Sequence, residues 1–261
     1  MISSTSNARV KNIVQLQKKA KERKRQGLFV VEGRKMIEEI LRDAPAAIAE
    51  LYVTEEYLAQ EEQAAALTGI SYELVTEHVM NAMTETMEPQ GAVAVVRMPK
   101  YDKKVLLEKE NGTWVALEDL RDPGNLGTIL RTSEAAGVTG IILSGGSVDI
   151  YNPKVIRSTM GAIFRMPHFY AEDFLSELDE LKQGGATLYA AHLAGKQYYD
   201  EPAYEGKTVI LIGNEAKGLS AEAAKEANCL VKIPMEGKAE SLNAAVATAL
   251  FVYEVYRKKR Q

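Results

Sequence analysis

The sequence is sparing with cysteine: Cys229 is the only one in 261 residues. That excludes an internal disulfide, and the apolar neighbours Leu230 and Val231 point to a buried, inert thiol rather than a nucleophile. The histidines, His78, His168 and His192, are scattered, with no His-x-x-x-His spacing, so no metal site is expected. No apolar run reaches the roughly 20 residues that a membrane-spanning helix needs. The opening Met1-Ile-Ser-Ser-Thr-Ser lacks the charged start and apolar stretch of a signal peptide. A soluble, cytoplasmic protein with no membrane partner is the expectation. No Gly-x-Gly-x-x-Gly follows a strand, and where a P-loop would place lysine after Gly218 the chain has Leu219, which disfavours dinucleotide and ATP or GTP chemistry. No Ser/His/Asp arrangement stands out for nucleophilic catalysis.

What is present is an ample apolar complement, 46% of residues, enough for a buried core and a length of about two domains. The net charge of −4 conceals an asymmetry. Residues 1–35 hold ten Lys and Arg against Glu22 and Glu32, giving +8, so the remainder carries −12. Between Arg42 and Arg97 there is no Lys or Arg. A basic face on an acidic body is the footprint of a phosphate-backbone binder, and equally of a solvated lysine-rich helix.

Apolar residues at Val10, Ile13, Val14, Leu16 and Ala20 predict a helix over Val10 to Arg25. Strands are predicted at Leu28 to Gly33, Ala49 to Thr54, Tyr72 to Val75 and Ala92 to Val96, with helices at Arg34 to Arg42, Glu55 to Leu67 and Glu77 to Met83. This α/β alternation closes a first domain over residues 1–97. Residues 98–112 read as a linker, with a short helix at Lys104 to Lys109 an option. A second domain, 113–261, has apolar strands at Trp114 to Leu117, Gly140 to Leu143, Thr187 to Ala191, Thr208 to Ile212 and Cys229 to Ile233. Helices are expected between them at Leu126 to Ala136, Pro153 to Ile163, Ala171 to Gln183 and Ala221 to Ala227, and a last one from Ser241 to about Lys259. Continuous apolar strands alternating with helices imply a mostly parallel sheet covered on both faces.

Three strand-to-helix loops of that sheet could carry chemistry, because ligands of open α/β sheets sit beyond strand carboxyl ends. Gly213-Asn-Glu-Ala-Lys-Gly218 is either a tight turn before a helix capped by Ser220 or a loop that lets a ligand approach the backbone. Asp122-Pro-Gly-Asn-Leu-Gly-Thr-Ile-Leu-Arg131 begins with turn chemistry and continues as a helix, with Asn125 near its start. Arg131 suits a surface salt bridge, or a phosphate or sugar hydroxyl. Ser241-Leu-Asn243 opens the last helix. Ser241 is a good N-cap, and the free N–H groups there could also hold the polar ends of a small ligand. Glu236 and Glu240 read as solvated charges.

In order and content these segments resemble the SpoU (TrmH-like) family of RNA ribose 2′-O-methyltransferases, of the SPOUT superfamily. The similarity covers essentially the whole chain. It rests on Asp122 to Thr132, Ile212 to Leu219, and Ile233-Pro-Met with Ser241 to Ala247. Tyr151-Asn-Pro-Lys-Val-Ile-Arg-Ser-Thr-Met-Gly161 adds to it, as does Asn7 to Gly33, which resembles a substrate-binding domain sharing its fold with small RNA-binding ribosomal proteins. Ala216 and Ser133 stand where the family often has Gly and Ala. The resemblance implies an α/β catalytic domain with a C-terminal trefoil knot, a smaller N-terminal α/β domain, and a homodimer packed through the knotted domains. It implies S-adenosylmethionine as methyl donor, contacted by Gly213, Ile233, Met235 and Leu242. Asn125, Arg131, Glu215, Ser241 and Asn243 would form the reaction side, with Arg131 positioning the ribose or serving as base. RNA, ribosomal rather than transfer, would meet the basic arm at Arg9, Lys11, Lys18, Arg23, Arg25, Arg34 and Lys35. No metal is implied. Alternatives are a tRNA 2′-O-methyltransferase, a base methyltransferase, and a non-catalytic RNA-binding protein that retains the fold.

Overall fold

The computed structural model describes residues 1–260. They fall into two compact units: Met1–Lys100 with Asp149–Phe164, and Tyr101–Val148 with Arg165 onward. The first unit does not coincide with a continuous stretch of sequence. Sixteen residues that follow a strand of the second unit belong to it.

In the first unit, α1 (Ala8–Lys18) and α2 (Ala20–Gln26) replace the single helix that the apolar spacing predicts. The break is at Lys19, which is extended (φ −124°, ψ 109°). It frees the carbonyls of Leu16 and Gln17, and the Arg23 guanidinium takes both, at 2.6 and 2.8 Å. Then follow β1 (Leu28–Glu32), α3 (Arg34–Asp43), β2 (Ile48–Val53), α4 (Glu55–Leu58), α5 (Glu61–Ala66), β3 (Glu73–Leu74), α6 (Glu77–Met83) and β4 (Ala92–Arg97). The sheet order is β1-β4-β2-β3, antiparallel except for the β2–β3 pair. Val10, Ile13 and Leu16 of α1 and Val79, Met80 and Met83 of α6 pack with Val30, Tyr52, Val93 and Val95 of the sheet. The acidic segment Glu55 to Leu67, expected as one helix, is two short ones.

The second unit contains α7 (Lys103–Leu107), β5 (Thr113–Leu117), α8 (Pro123–Ala135) and β6 (Gly140–Leu143). The chain then lends α9 (Pro153–Thr159) to the first unit. It returns as β7 (His168–Tyr170), α10 (Phe174–Gln183), β8 (Thr187–Ala191), β9 (Gln197–Tyr198), β10 (Thr208–Ile212), α11 (Ala221–Glu226), β11 (Cys229–Lys232) and α12 (Ala244–Lys259). Its seven strands are all parallel, in the order β7-β6-β5-β10-β8-β11-β9. The mostly parallel, helix-covered sheet is as expected, with β7 and β9 in addition. Trp114, Ala116, Val209, Leu211, Leu188 and Ala190 face one way from adjacent strands and build a core with Leu178 and Leu181 of α10. Because β10 lies between β5 and β8, the loops after β5, β10, β8 and β11 open side by side at one edge. No helix among the described residues is long and apolar enough to cross a membrane.

Within the first unit the segment 149–164 is held by charge. Arg23, 3% exposed, donates through Nε and Nη2 to Asp149 Oδ2 at 2.9 and 2.6 Å. Arg157 Nη1 donates to Glu32 Oε1 at 2.7 Å, and Glu32 Oε2 accepts the Glu85 N–H at 2.9 Å. The Tyr151 and Phe29 rings pack with centroids 4.8 Å apart.

Candidate active site

At the end of β10 the chain reverses sharply. Asn214 and Gly218 exchange backbone hydrogen bonds of 3.0 and 2.8 Å, and Gly218 adopts φ 70°. This brings Gly218 onto Gly213: a Cβ on Gly213 would lie 2.1 Å from the Gly218 carbonyl carbon and 2.2 Å from the Leu219 nitrogen. Glycine at 213 is therefore a matter of space. Ser220 caps α11 through the Ala223 N–H, and Glu118 accepts both its N–H and its hydroxyl, at 2.7 and 2.6 Å.

The turn delivers Glu215 to the start of α8. Its carboxylate accepts the N–H groups of Arg121 (3.1 Å) and Asp122 (2.9 Å) and the Nδ2–H of Asn125 (3.1 Å). Burial alone would raise the Glu215 carboxyl. The donors from Asp122, Asn125 and Arg121 outweigh it and hold the group below its ordinary value. Asn125 Oδ1 in turn accepts Asn243 Nδ2–H at 2.8 Å, while Asn243 Oδ1 takes the N–H groups of Ala245 and Val246 and so caps α12. Glu215, Asn125 and Asn243 thus form one hydrogen-bonded chain across three loops. The cap of the last helix is Asn243 and not Ser241, and the helix begins at Ala244.

Beside this chain lies a cavity of about 330 Å³, a size that suits a small-molecule ligand. Gly213, Ile233, Met235 and Leu242 line it, together with Glu215 and Ser241. Asn125, Arg131 and Asn243 do not. Arg131 is exposed on α8 and has no partner among the described residues. Sequence reading passed over His192 and Leu193, which follow β8, and Phe251 of α12, all at the cavity wall. The position of β8 beside β10 explains the first two, and that neighbourhood is not evident from chain order. His192 Nδ1 accepts the Ala194 N–H at 3.1 Å, so the ring carries its proton on Nε2 when neutral. A Cβ on Gly195 would lie 2.8 Å from the Leu230 oxygen, so the loop after β8 runs tight against β11. Among the described residues no group of His, Cys, Asp or Glu gathers as a metal site.

The SpoU rRNA Methylase family model matches residues 112–253, which contain all of these loops. The chain belongs to the SpoU methylase family. An MRM3-like substrate binding domain matches residues 7–94 of this SpoU methylase. It is 34% identical to the 23S rRNA (guanosine(2553)-2′-O)-methyltransferase RlmP of Bacillus subtilis, over 97% of this chain and 98% of the relative. The AdoMet-bound rRNA methyltransferase of Sinorhizobium meliloti superposes with a TM-score of 0.84 at 34% identity, covering 98% of this chain and 97% of that one. The AdoMet complex of the SpoU methyltransferase AviRb of Streptomyces viridochromogenes gives 0.87 at 28% identity, over 98% and 99%.

In the basic arm of this SpoU methylase the expected RNA contacts divide. Arg23 is buried on Asp149 and the α1 carbonyls, out of reach of a phosphate. Arg9 faces Glu73, Arg25 faces Glu22, Arg34 faces Glu38 and Glu62, and Lys35 faces Glu39. Lys11 and Lys18 are exposed and make no ion pair among the described residues.

Proposed function

We propose that this SpoU methylase transfers the methyl group of S-adenosylmethionine to a ribose 2′-OH of ribosomal RNA, in the cytoplasm. The observation that carries the reading is the Glu215–Asn125–Asn243 chain beside the Gly213 cavity, in a family whose full-length relatives bear rRNA methyltransferase names. The size of the cavity and its mixed apolar and polar lining suit the cofactor. Gly213, Ile233, Met235 and Leu242 would hold it, with His192 and Leu193. When bound it supplies an electrophilic methyl on a sulfonium.

The rest is the work of the chain. A ribose hydroxyl is a poor nucleophile until its proton is withdrawn. Arg131, exposed and without a partner among the described residues, would brace the adjoining phosphate or orient the hydroxyl; its five donors suit that better than taking a proton. Glu215 is engaged by three donors and is kept anionic, which suits it to hold the α8 loop and not to act as an acid. Ser241 borders the cavity with a hydroxyl that capping does not consume. Much of the acceleration would come from holding oxygen, carbon and sulfur in line.

RNA would approach along the basic arm, with Lys11 and Lys18 as phosphate contacts and Arg9, Arg25, Arg34 and Lys35 drawn from their carboxylate partners. The domain division at residues 97 and 113 and the trefoil knot belong to the same proposal. A homodimer also belongs to it. Val246, Tyr253 and Tyr256 of α12 are exposed on a face that, with Tyr199, borders an apolar groove of about 800 Å³.

The test is methyl transfer from labelled S-adenosylmethionine to RNA of a strain lacking the gene, with wild type, Arg131→Ala and Arg131→Lys. Incorporation into ribosomal RNA at an alkali-resistant linkage, lost in both variants, is expected. A near-normal single-turnover rate in Arg131→Lys would sink both roles for that residue. Intact cofactor binding with no transfer to any RNA would overturn the enzymatic reading in favour of an RNA-binding protein.

A further inference from the structure

We propose that Asn214 is a positioning residue of this site: it holds the Arg121–Asn125 stretch in register with Glu215 through the backbone of Asp119. The inference rests on the methyltransferase reading above.

The two ends of the Asn214 amide do different work. Oδ1 accepts the N–H groups of Ala216 (3.0 Å) and Lys217 (3.1 Å), shaping its own turn. An aspartate could do that equally well. Nδ2 donates to the carbonyl of Asp119 at 2.8 Å, which an ionised aspartate cannot do.

Asp119 is an unusual place for such a bond. Its φ is 52°, in the left-handed region that few non-glycine residues adopt and that aspartate tolerates better than most. The conformation is fixed from both sides. The Asp119 N–H donates to Ser144 Oγ at 2.8 Å, and that hydroxyl donates to Asp119 Oδ1 at 2.8 Å. Gly146 lies so close that a Cβ there would fall 2.0 Å from the same oxygen. Asn214 secures the carbonyl. Two and three residues further on, Arg121 and Asp122 present their N–H groups to Glu215. Consecutive residues of one loop, Asn214 and Glu215, therefore grip the other loop at two points, and the left-handed turn at Asp119 sets the angle between them. Asn125 and its link to Asn243 follow from that grip.

Asn214→Asp is nearly isosteric; it keeps the acceptor and puts an anionic oxygen, which repels the Asp119 carbonyl, where the donor stood. Ser144→Ala loosens Asp119 from the opposite side and lies outside the cavity lining. Both are to be measured in the full chain for melting temperature, S-adenosylmethionine affinity by calorimetry, single-turnover transfer at saturating cofactor, and amide hydrogen exchange. The expected loss in transfer rate is about 10- to 100-fold, the effect of a misplacement of about 1 Å. Cofactor affinity should stay within about threefold, since the interaction lost is one felt in the transition state. Exchange at Arg121 and Asp122 should quicken by about tenfold or more without a change in global stability. The double variant should be no worse than the worse single one, because both act through Asp119. The Asn214→Asp to wild-type rate ratio should rise as pH falls, since a protonated carboxyl donates again. The charged groups of the two loops, Asp119, Arg121, Asp122, Glu215 and Lys217, are present in both proteins, so the comparison is made as a ratio. Wild-type rate and exchange in both variants would overturn the inference. So would a rate loss that tracks lost cofactor affinity, which would make Asn214 a direct ligand contact. If the wild type methylates no RNA, the enzymatic reading falls, and the exchange data alone decide the positioning.

Discussion

Replacing Gly213 by alanine should open the turn that follows β10. The added carbon would sit 2.1 Å from the Gly218 carbonyl carbon, 2.2 Å from the Leu219 nitrogen and 2.4 Å from the Gly218 oxygen. Carbon atoms rest at no less than about 3.5 Å, so the two strands of the turn must part by roughly 1.4 Å. None of the three atoms belongs to a side chain that could swing aside. Parting them breaks the reciprocal Asn214–Gly218 hydrogen bonds of 3.0 and 2.8 Å. Overpacking of this kind costs about 1–3 kcal/mol and two hydrogen bonds about 1 kcal/mol each, for a total of about 3–5 kcal/mol. In a chain of this size that is a drop in melting temperature of about 10 °C, with cofactor affinity lost along with the turn. Gly218→Ala is the control. Its φ of 70° imposes backbone strain, but nothing lies within 4 Å of the new carbon, so about 1–2 kcal/mol is expected. Calorimetric melting and titration with S-adenosylmethionine decide the matter. A Gly213→Ala protein that melts and binds like wild type, or one that is hurt less than Gly218→Ala, refutes the steric argument.

Arg23→Ala should destabilise the protein by about 3–5 kcal/mol by stranding Asp149, as measured by urea unfolding, and leave the salt dependence of RNA binding unchanged. Lys18→Ala should leave stability alone and reduce the slope of log K against log salt by about 0.7–0.9. Asn243→Ala should cost about 1 kcal/mol as a lost helix cap, whereas Ser241→Ala should be nearly neutral in thermal melts and act on turnover. His168 is buried, and burial pushes its imidazole down to about 4 against the opposing pull of its hydrogen bond with Met166. The unfolded chain then binds more protons, so stability is full above the unfolded value near 6.5 and is lost as pH falls through 4. The loss is on the order of 3 kcal/mol, and His168→Gln should flatten it in unfolding titrations. The proposed homodimer predicts that wild type sediments as a dimer and Tyr253→Glu as a monomer, since the variant places charge on the exposed apolar face of α12.

The parts of the fold that could be read from sequence were those with a local cause. The apolar runs that became β5, β6, β8 and β10 needed no partner to be recognised, nor did Ser220 as a cap. β7 and β9 escaped because three and two residues give no periodicity; they exist because a parallel neighbour is there to pair with. Both Ser241 and Asn243 are cap residues by type. Asn125, 118 positions away, turns the Asn243 side chain to the role by accepting its amide. Arg23 looked like one more basic residue of the arm, because its anion stands 126 positions later. The site divides in the same way. Gly213 and the turn chemistry were visible, but the hydrogen bonds among Glu215, Asn125 and Asn243 span 90 and 118 positions, and only the family pattern marked those residues as belonging together.

The loan of residues 149–164 has a bearing on how this protein could be divided. A fragment ending at Lys100 would keep Arg23 and Glu32 in their buried places and lose both counter-charges, Asp149 and Arg157. The substrate-binding unit is therefore no transplantable module. Whatever lineage joined it to the catalytic sheet had to fit a loop between two of that sheet's strands to its interior, and the two could thereafter change only in concert.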